Sequence, residues 1–222
     1  MALVGAGAVA IWHDIAPEGR EEFYAWHGSE HMPERVAIPG FLRGRRYVAV
    51  EGVPEFFNLY ETASTAVLTG ADYLARLNAP TPWTAATVRH FRGVARSLCE
   101  VAATFGEGAG GLCATLRYDV GAAAAAAHRA AMTAALRGLA SAPGIAGAHL
   151  LVADEKASGI ETAERRARGG PGNLVPRWIA IVEGWGDEAP FRAACRAFAA
   201  SGAFAGASLA PDLAVYRLQN LR

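Results

Sequence analysis

The chain has 222 residues, of which 52% are hydrophobic and 19% charged; this composition is typical of folded globular proteins and excludes a disordered chain. Its 21 basic and 21 acidic side chains cancel to a formal net charge of +0 at pH 7. No positive field therefore attracts nucleic acid or anionic lipid, and we expect neither nucleic acid nor a membrane as partner. The cysteines, Cys99, Cys113 and Cys195, form no CxxC pair, which predicts reduced thiols in a cytoplasmic protein.

The first half of the chain predicts the element order βαββαβ. Pro33 has no N–H to continue a helix, so the first helix is expected to break there and a second short helix to begin. The Pro39–Gly40 pair then turns the chain into a hairpin. Strands are predicted at 7–15, 42–51, 55–62 and 94–101, and helical segments at 20–31, 73–77 and 83–91.

The second half repeats this order, with a second Pro-Gly turn at Pro143–Gly144. Strands are predicted at 112–120, 148–153, 178–184 and 213–218, and helices at 122–140 and 190–200. The two Pro-Gly turns lie 104 residues apart, whereas Glu61 and Glu183, which each end a third strand, lie 122 residues apart. The difference indicates an insertion at 155–177 in the second hairpin, which is either a disordered loop or a lid over a site.

We therefore predict an α+β protein made of two tandem ferredoxin-like repeats, 1–106 and 107–222. A four-stranded sheet with both helices on one face leaves its other face bare, and a bare apolar face must pack on another layer. The second repeat supplies that layer. The expected architecture is a dimeric α+β barrel formed within one chain, with two sheets closed face to face.

The densest group of chemically active side chains lies on the first helix. His27 and His31 are four residues apart and share one helix face, with Glu30 beside them. The segment reads HxxEH, a signature in which two histidines bind zinc and the glutamate is the general base of a hydrolase. No third ligand is evident and Pro33 follows the motif directly, so we expect no metal. The structural alternative is a helix whose histidines hydrogen-bond locally against the sheet.

A longer pattern extends over the same helix and the turn after it. It reads FxxWxxxEHxPERxxxPGF, with fixed positions Phe23, Trp26, Glu30, His31, Pro33, Glu34, Arg35, Pro39, Gly40 and Phe41. This pattern resembles the first helix and turn of EthD-like proteins of the dimeric α+β barrel superfamily. The segment NAPTPW at 78–83 is similar to a feature of a duplicated, uncharacterised subgroup. The resemblance covers most of the first half, and in the second half it rests on strand order alone.

The resemblance implies a small-molecule cavity between helix and sheet, with His31 facing it. It does not imply one reaction, because the superfamily includes cofactor-independent monooxygenases, lactone isomerases and haem enzymes. His31 is the predicted catalytic residue, since a neutral imidazole acts as general base or hydrogen-bond donor near neutral pH. We expect no cofactor: His90 and His128 are conceivable haem ligands, but His128 lies on an apolar helix stripe typical of a core histidine. A homodimer is consistent with this class.

Aromatic and polar side chains near His31 are the predicted ligand-binding groups. Strand alternation places Arg45 and Tyr47 on one face of the second strand, and Asn58 and Tyr60 on one face of the third. The sequence leaves open which faces look inward. An inward arginine suits an anionic or carbonyl-bearing ligand. The predicted ligand-binding residues are Trp26, His27, Arg45, Tyr47, Asn58, Tyr60 and Trp83.

Two functions are compatible with these residues. The first is a monooxygenase- or isomerase-like enzyme that uses His31, without a metal, on a hydrophobic metabolite. The second is a non-catalytic binding or accessory protein with the same cavity. A second polar group converging on His31, such as Tyr60 or Arg45, favours catalysis. The second-half helix is reduced largely to alanine, so we expect the site in the first half, with 155–177 closing over it.

Overall fold

The computed structural model describes residues 3–170 and 172–222, and within them eight strands form a closed antiparallel barrel. The strands are β1 (Gly7–Ile15), β2 (Phe41–Glu51), β3 (Phe56–Thr62), β4 (Phe91–Gly106), β5 (Leu112–Tyr118), β6 (Ile145–Ala153), β7 (Trp178–Gly184) and β8 (Asp212–Leu221). The helices are α1 (Arg20–Trp26), α2 (Met32–Val36), α3 (Ala71–Asn78), α4 (Pro82–Thr87), α5 (Ala125–Leu139), α6 (Glu155–Ser158), α7 (Ala163–Arg168) and α8 (Glu188–Ala199). None of the helices in these residues has the length and apolar character needed to cross a membrane.

Around the barrel the strands follow the order β1-β3-β2-β8-β5-β7-β6-β4, and all neighbouring pairs are antiparallel. The first-half strands therefore run β4-β1-β3-β2 and the second-half strands run β8-β5-β7-β6, which is the same order position by position. The two sheets join through β2–β8 and β4–β6. Because both junctions are hydrogen-bonded, the sheet has no open edge.

Strand β4 is twice as long as the segment 94–101 that the sequence predicts, because it belongs to both sheets. From Phe91 to Glu100 it pairs with β1, and from Cys99 to Gly106 it pairs with β6 of the other half. The pairing with β6 is a contact between the halves, and local periodicity carries no signal of it. By contrast, β1 and β7 have the bounds that their local pattern predicts.

All eight strands contribute buried apolar residues to the barrel interior, among them Trp12, Tyr47, Phe57 and Tyr216. This interior also holds the fully buried Arg45, which donates to Glu61 at 2.9 Å and to Glu183 at 2.8 Å. Two carboxylates around one guanidinium offset the cost of burying the charges. The helices cover the outer faces of the two sheets.

The sequence predicts that the first helix breaks at Pro33. In the structure the helix instead continues through a π turn. Helix α1 leads into the π segment His27–His31, and α2 follows it directly. Here the Met32 N–H donates to the carbonyl of His27, five residues back. Pro33 consequently falls in the first turn of α2, where its missing N–H costs little. Such π turns are rare and frequently lie at functional sites.

The described residues of the insertion 155–177 are folded, with α6 and α7 as two short helices. The insertion leaves the second-half hairpin but docks on the outer side of the first-half sheet. The Leu98 N–H donates to the Ser158 hydroxyl at 2.9 Å, and the Ser97 hydroxyl donates to the Pro176 carbonyl at 2.7 Å. The insertion is therefore held against β4, beside the helix that carries His31.

Candidate functional site

A cavity lies between the first-half helix and the outer face of the first-half sheet, and the insertion covers it from outside. The space between its walls is about 800 Å³, including a part that is open to solvent. The helix contributes Trp26, β3 contributes Tyr60, β4 contributes Phe91, and the insertion contributes Thr162 and Arg168. Both halves of the chain therefore build the cavity wall.

Five of the residues predicted from the sequence line this one cavity. They are Trp26, His27 and His31 on the helix and Asn58 and Tyr60 on β3. Strand alternation places Asn58 and Tyr60 on the outer face of the sheet, which is the face that the helix covers. The π turn keeps His27 and His31 on the same side of the helix, with their ring centroids 5.5 Å apart.

The structure places Arg45, Tyr47 and Trp83 away from this cavity. Successive side chains of β2 point to opposite faces of the sheet, and Arg45 and Tyr47 are on the face opposite to the helix. Both side chains therefore lie inside the barrel. Trp83 is part of α4, and its indole N–H donates to Glu22 on the outside of the molecule. The alternation pattern identifies the two faces of β2, and the fold decides that the arginine face is the barrel interior.

The aromatic and imidazole rings of the cavity are in direct contact. The Tyr60 hydroxyl lies 3.2 Å from Nε2 of His27, and the rings of Trp26 and His31 pack with centroids 4.2 Å apart. Trp26 is itself held by its indole N–H, which donates to the Thr84 hydroxyl at 3.0 Å. The positions of both histidines therefore depend on neighbours from β3 and α4.

Burial determines the charge state of these groups. Burial, with the positive charge of Arg46 nearby, lowers the pKa of His27 well below its usual value. Burial, with Arg35 nearby, does the same to the pKa of His31. Burial also raises the pKa of the Tyr60 hydroxyl. Near neutral pH the cavity wall therefore presents two neutral imidazoles and a protonated phenol.

A third histidine, His13 on β1, holds Asn58. Burial lowers the pKa of His13 to about 3, so its ring is neutral. The Nδ1 of His13 lies 3.4 Å from the Asp14 carbonyl, and a proton on that nitrogen leaves Nε2 as an acceptor. The amide nitrogen of Asn58 lies 2.9 Å from this Nε2 and donates to it. The Asn58 side chain is thereby fixed in one orientation.

Three buried polar atoms beside the cavity have no hydrogen-bond partner within the described residues. They are Nδ1 of His27, Nδ1 of His31 and Oδ1 of Asn58. Buried polar groups in native proteins are usually paired, so a cluster of unpaired ones indicates a place for water or a ligand. The cluster coincides with the side chains that line the cavity.

The insertion, which the sequence predicts to close over the site, supplies residues to the cavity wall. Glu164 on α7 forms an ion pair with Arg35 of α2, and the Ala163 N–H donates to Oδ1 of Asn78 at 3.1 Å. Arg35 was visible in the motif that resembles EthD-like proteins. Nothing in the local sequence connects Glu164 to it, because the two residues lie 129 positions apart.

The geometry does not support the zinc hydrolase interpretation of HxxEH. The Glu30 carboxylate accepts from the Thr81 hydroxyl at 2.6 Å and from the Thr84 hydroxyl at 3.2 Å. It therefore ties the helix to α4 and is engaged there. Within residues 3–170 and 172–222, no group of three or more His, Cys, Asp or Glu side chains is arranged to hold a metal ion.

The second half of the chain does not fit a haem. A haem bound through His128 needs a ring nitrogen free for iron and open space beside it. Nε2 of His128 lies 3.1 Å from the Tyr118 hydroxyl, and the ring packs edge-on against Trp178. The space between α5 and the sheet holds a core of buried apolar side chains that includes Met132 and Leu136. His128 is a hydrogen-bonded histidine at the border of this core.

Comparisons with known proteins concern the fold. No family model and no curated protein matches the chain. Solved structures match over almost its full length. An anthrone oxidase-like protein has 13% sequence identity and a TM-score of 0.65, and the match covers 97% of this chain and 92% of that one. A monooxygenase candidate from Lactobacillus acidophilus has 10% identity and a TM-score of 0.59, with 97% of this chain and 95% of that one covered, and a haem-binding protein from Thermus thermophilus has 11% identity and a TM-score of 0.51, with 97% and 92% covered. The chain is accordingly an α+β protein with a closed eight-stranded antiparallel barrel, and it shares this fold with these structures.

Proposed function

We propose that this protein binds a hydrophobic small molecule in the first-half cavity and transforms it without a cofactor, with His31 as the general base. The observation that carries the proposal is the imidazole of His31, which lines the cavity, packs on Trp26 beside the His27–Tyr60 contact and has an Nδ1 without a partner among the described residues. An imidazole nitrogen without a protein partner can accept a proton from a bound substrate, and the aromatic walls limit contact with bulk water. The similar folds of an anthrone oxidase-like protein and a monooxygenase candidate support this reaction class by analogy.

The proposed reaction begins when His31 removes a proton from an acidic carbon or oxygen of the substrate. The Tyr60 hydroxyl, which burial keeps protonated, donates a hydrogen bond to the substrate oxygen on which negative charge develops. If the anion takes the proton back at another carbon, the reaction is an isomerisation. If it reacts with dioxygen, a CH₂ group becomes a carbonyl and one water is released, which is a monooxygenation.

We also propose that 1–106 and 107–222 are tandem ferredoxin-like repeats, of which the first, EthD-like repeat contains the site. The identical strand order of the two halves supports this. Two glutamates at equivalent positions support it as well. Glu61 accepts the Val4 N–H at 2.8 Å and Glu183 accepts the Gly110 N–H at 3.0 Å, so each holds the segment that leads into the first strand of its own half.

A non-catalytic binding protein is the second candidate, and one feature favours it. Catalytic imidazoles are commonly oriented by a third group, often a carboxylate. Among the described residues that line the cavity, Glu164 is the only carboxylate, and it pairs with Arg35. His31 therefore has no carboxylate partner in the wall.

Anthrone is a suitable probe for both candidates, and oxygen uptake and tryptophan fluorescence report turnover and binding separately. If His31 is the base, His31→Gln lowers turnover about 100-fold or more while binding changes little. His128→Gln is the control, since it removes a buried histidine from the other half. Binding without oxygen uptake or isomerisation in the wild type would support the binding protein. Full turnover by His31→Gln would exclude His31 as the base.

A further inference from the structure

We infer that the cavity selects aromatic carboxylates and that Arg96 and Arg168 bind the carboxylate group. This inference deepens the proposed function, because it names a substrate class for the same cavity. It depends on the ligand binding there and not on whether His31 is catalytic.

The wall of the cavity is rich in positive charge. Four guanidinium groups line it, whereas Glu164 is the only carboxylate among the described lining residues. The imidazoles of His27 and His31 are neutral near pH 7 and do not change this balance. A wall with more guanidinium than carboxylate groups in a partly closed space favours an anionic ligand. The four arginines are Arg35, Arg96, Arg165 and Arg168.

Two of these arginines already have carboxylate partners. Arg35 pairs with Glu34 at 2.9 Å and with Glu164. Arg165 pairs with Glu161 at 3.2 Å. Their charges are compensated within the protein, so they are not the first choice for a ligand.

The other two arginines bind only neutral groups. Arg96 on β4 donates to the Tyr73 hydroxyl at 2.8 Å, and Arg168 at the end of α7 donates to the amide oxygen of Asn173. Neither has a carboxylate within 4 Å in the part of the chain that the structure describes. One guanidinium reaches the cavity from the sheet and the other from the insertion. Each offers a planar fork of donors that matches a carboxylate.

Electrostatics at Arg168 favour a bound anion. Burial and repulsion from Arg165, with a smaller repulsion from Arg96, lower the pKa of Arg168, although attraction by Glu164 and Glu161 opposes part of that shift. The charge on Arg168 is therefore held in an environment that opposes it. A bound carboxylate relieves that repulsion and replaces lost hydration.

The remaining wall determines what the carboxylate is attached to. Trp26, Phe41, Tyr60, Tyr73 and Phe91 present aromatic surface to the same cavity. Aromatic rings pack well on flat aromatic ligands. The ligand class is thus a flat aromatic body with one carboxylate at its edge.

The test compares 2-naphthoate with 2-naphthamide, a neutral molecule of nearly the same shape, by titration calorimetry on the full chain. We expect 2-naphthoate to bind at least about tenfold more tightly, with an affinity that falls as salt is raised. Arg96→Gln and Arg168→Gln should each remove most of that preference, and Arg168→Lys should keep part of it. Arg166→Gln is the matched control, because Arg166 is exposed on the same helix and does not line the cavity.

Several outcomes would overturn the inference. These are equal binding of the two compounds, no detectable binding of 2-naphthoate at millimolar concentration, or an equal loss in Arg166→Gln and Arg168→Gln. Thermal melting of each variant separates lost binding from lost folding. If His31→Gln binds 2-naphthoate normally but no compound is turned over, the inference stands and the catalytic proposal fails. If turnover of neutral anthrone depends on His31 while 2-naphthoate binds no more tightly than 2-naphthamide, the catalytic proposal stands and the carboxylate inference fails.

Discussion

Arg35 of helix α2 and Glu164 of helix α7 form an ion pair that joins the first-half helix to an insertion from the second half. Only 4% of the Arg35 side chain and 19% of the Glu164 side chain are exposed. The pair sits at the cavity wall, and Arg35 also keeps a second partner in Glu34. Glu164 therefore holds the cover of the cavity, while Arg35 remains compensated if Glu164 is lost.

Glu164→Gln should loosen the insertion. We expect a loss of about 1.5–3 kcal/mol in the free energy of unfolding, the usual value of a hydrogen bond to a charged group. We also expect faster tryptic cleavage at the arginines of α7, measured by limited proteolysis. Glu161→Gln is the control, since that carboxylate is 53% exposed. Equal cleavage rates in the two variants would mean that the ion pair does not hold the insertion.

Stability should fall as the solution becomes acidic, because His13, His27 and His31 are buried as neutral rings. Burial lowers the pKa of His13 to about 3 and lowers those of His27 and His31 as well. The unfolded chain binds protons near pH 6.5, so it gains protons before the folded chain does. The contribution of these histidines to the free energy of unfolding is complete above about pH 7. It decreases from there toward pH 3, by up to about 1.4 kcal/mol per pH unit for each histidine. Urea denaturation at pH 7 and pH 5 measures the free energy of unfolding at each pH. The difference between the two values should be smaller in His31→Gln than in the wild type. Equal free energies at the two pH values in the wild type would contradict the prediction.

Arg45→Met should lower stability without affecting the cavity. The substitution leaves the buried carboxylates of Glu61 and Glu183 without their ion pair to Arg45, which should lower the free energy of unfolding by about 3–5 kcal/mol. Because Arg45 lies on the barrel face of β2, the affinity for 2-naphthoate should stay within about twofold of wild type. Arg45→Met/Glu183→Met should recover part of the lost stability. A loss of affinity as large as that of Arg168→Gln would show that Arg45 belongs to the site.

Two glycines near the site should respond to alanine in opposite ways. A methyl group at Gly44 would lie 3.0 Å from Cε1 of Tyr60 and 3.1 Å from Cγ2 of Val36, so the tyrosine ring must move. We expect a loss of about 1–3 kcal/mol and weaker ligand binding. At Gly28 the nearest atom is Nδ2 of Asn220 at 3.8 Å, and alanine should stabilise the helix by about 0.5–1 kcal/mol. Equal effects in thermal melting would mean that Tyr60 is not tightly packed.

Local patterns predicted the elements whose periodicity and punctuation are complete. Strands β1 and β7 have the predicted bounds, and the insertion was located from the spacing of Glu61 and Glu183. The π turn was not predicted, because Pro33 indicates a break and the sequence does not show how the preceding turn absorbs it. The full length of β4 was missed because its second part pairs with β6.

The site was harder to predict than the elements. His27 and His31 lie four residues apart on one helix, and this spacing placed them on one face. The two faces of β2 both carry buried residues, so alternation alone did not show that Arg45 and Tyr47 point into the barrel. Arg168 reaches the cavity through the docking of the insertion, a contact between distant segments that local sequence does not encode.

The closed ring of strands has a consequence for how the molecule unfolds. Hydrogen bonds cross from one half to the other twice, at β2–β8 and at β4–β6. If either half melted alone, it would leave two strands of the other half with unpaired backbone groups, and the barrel core shared by all eight strands would be opened to water. The chain should therefore melt as a single cooperative unit. Trp26 in the first half and Trp178 in the second would then report the same transition midpoint.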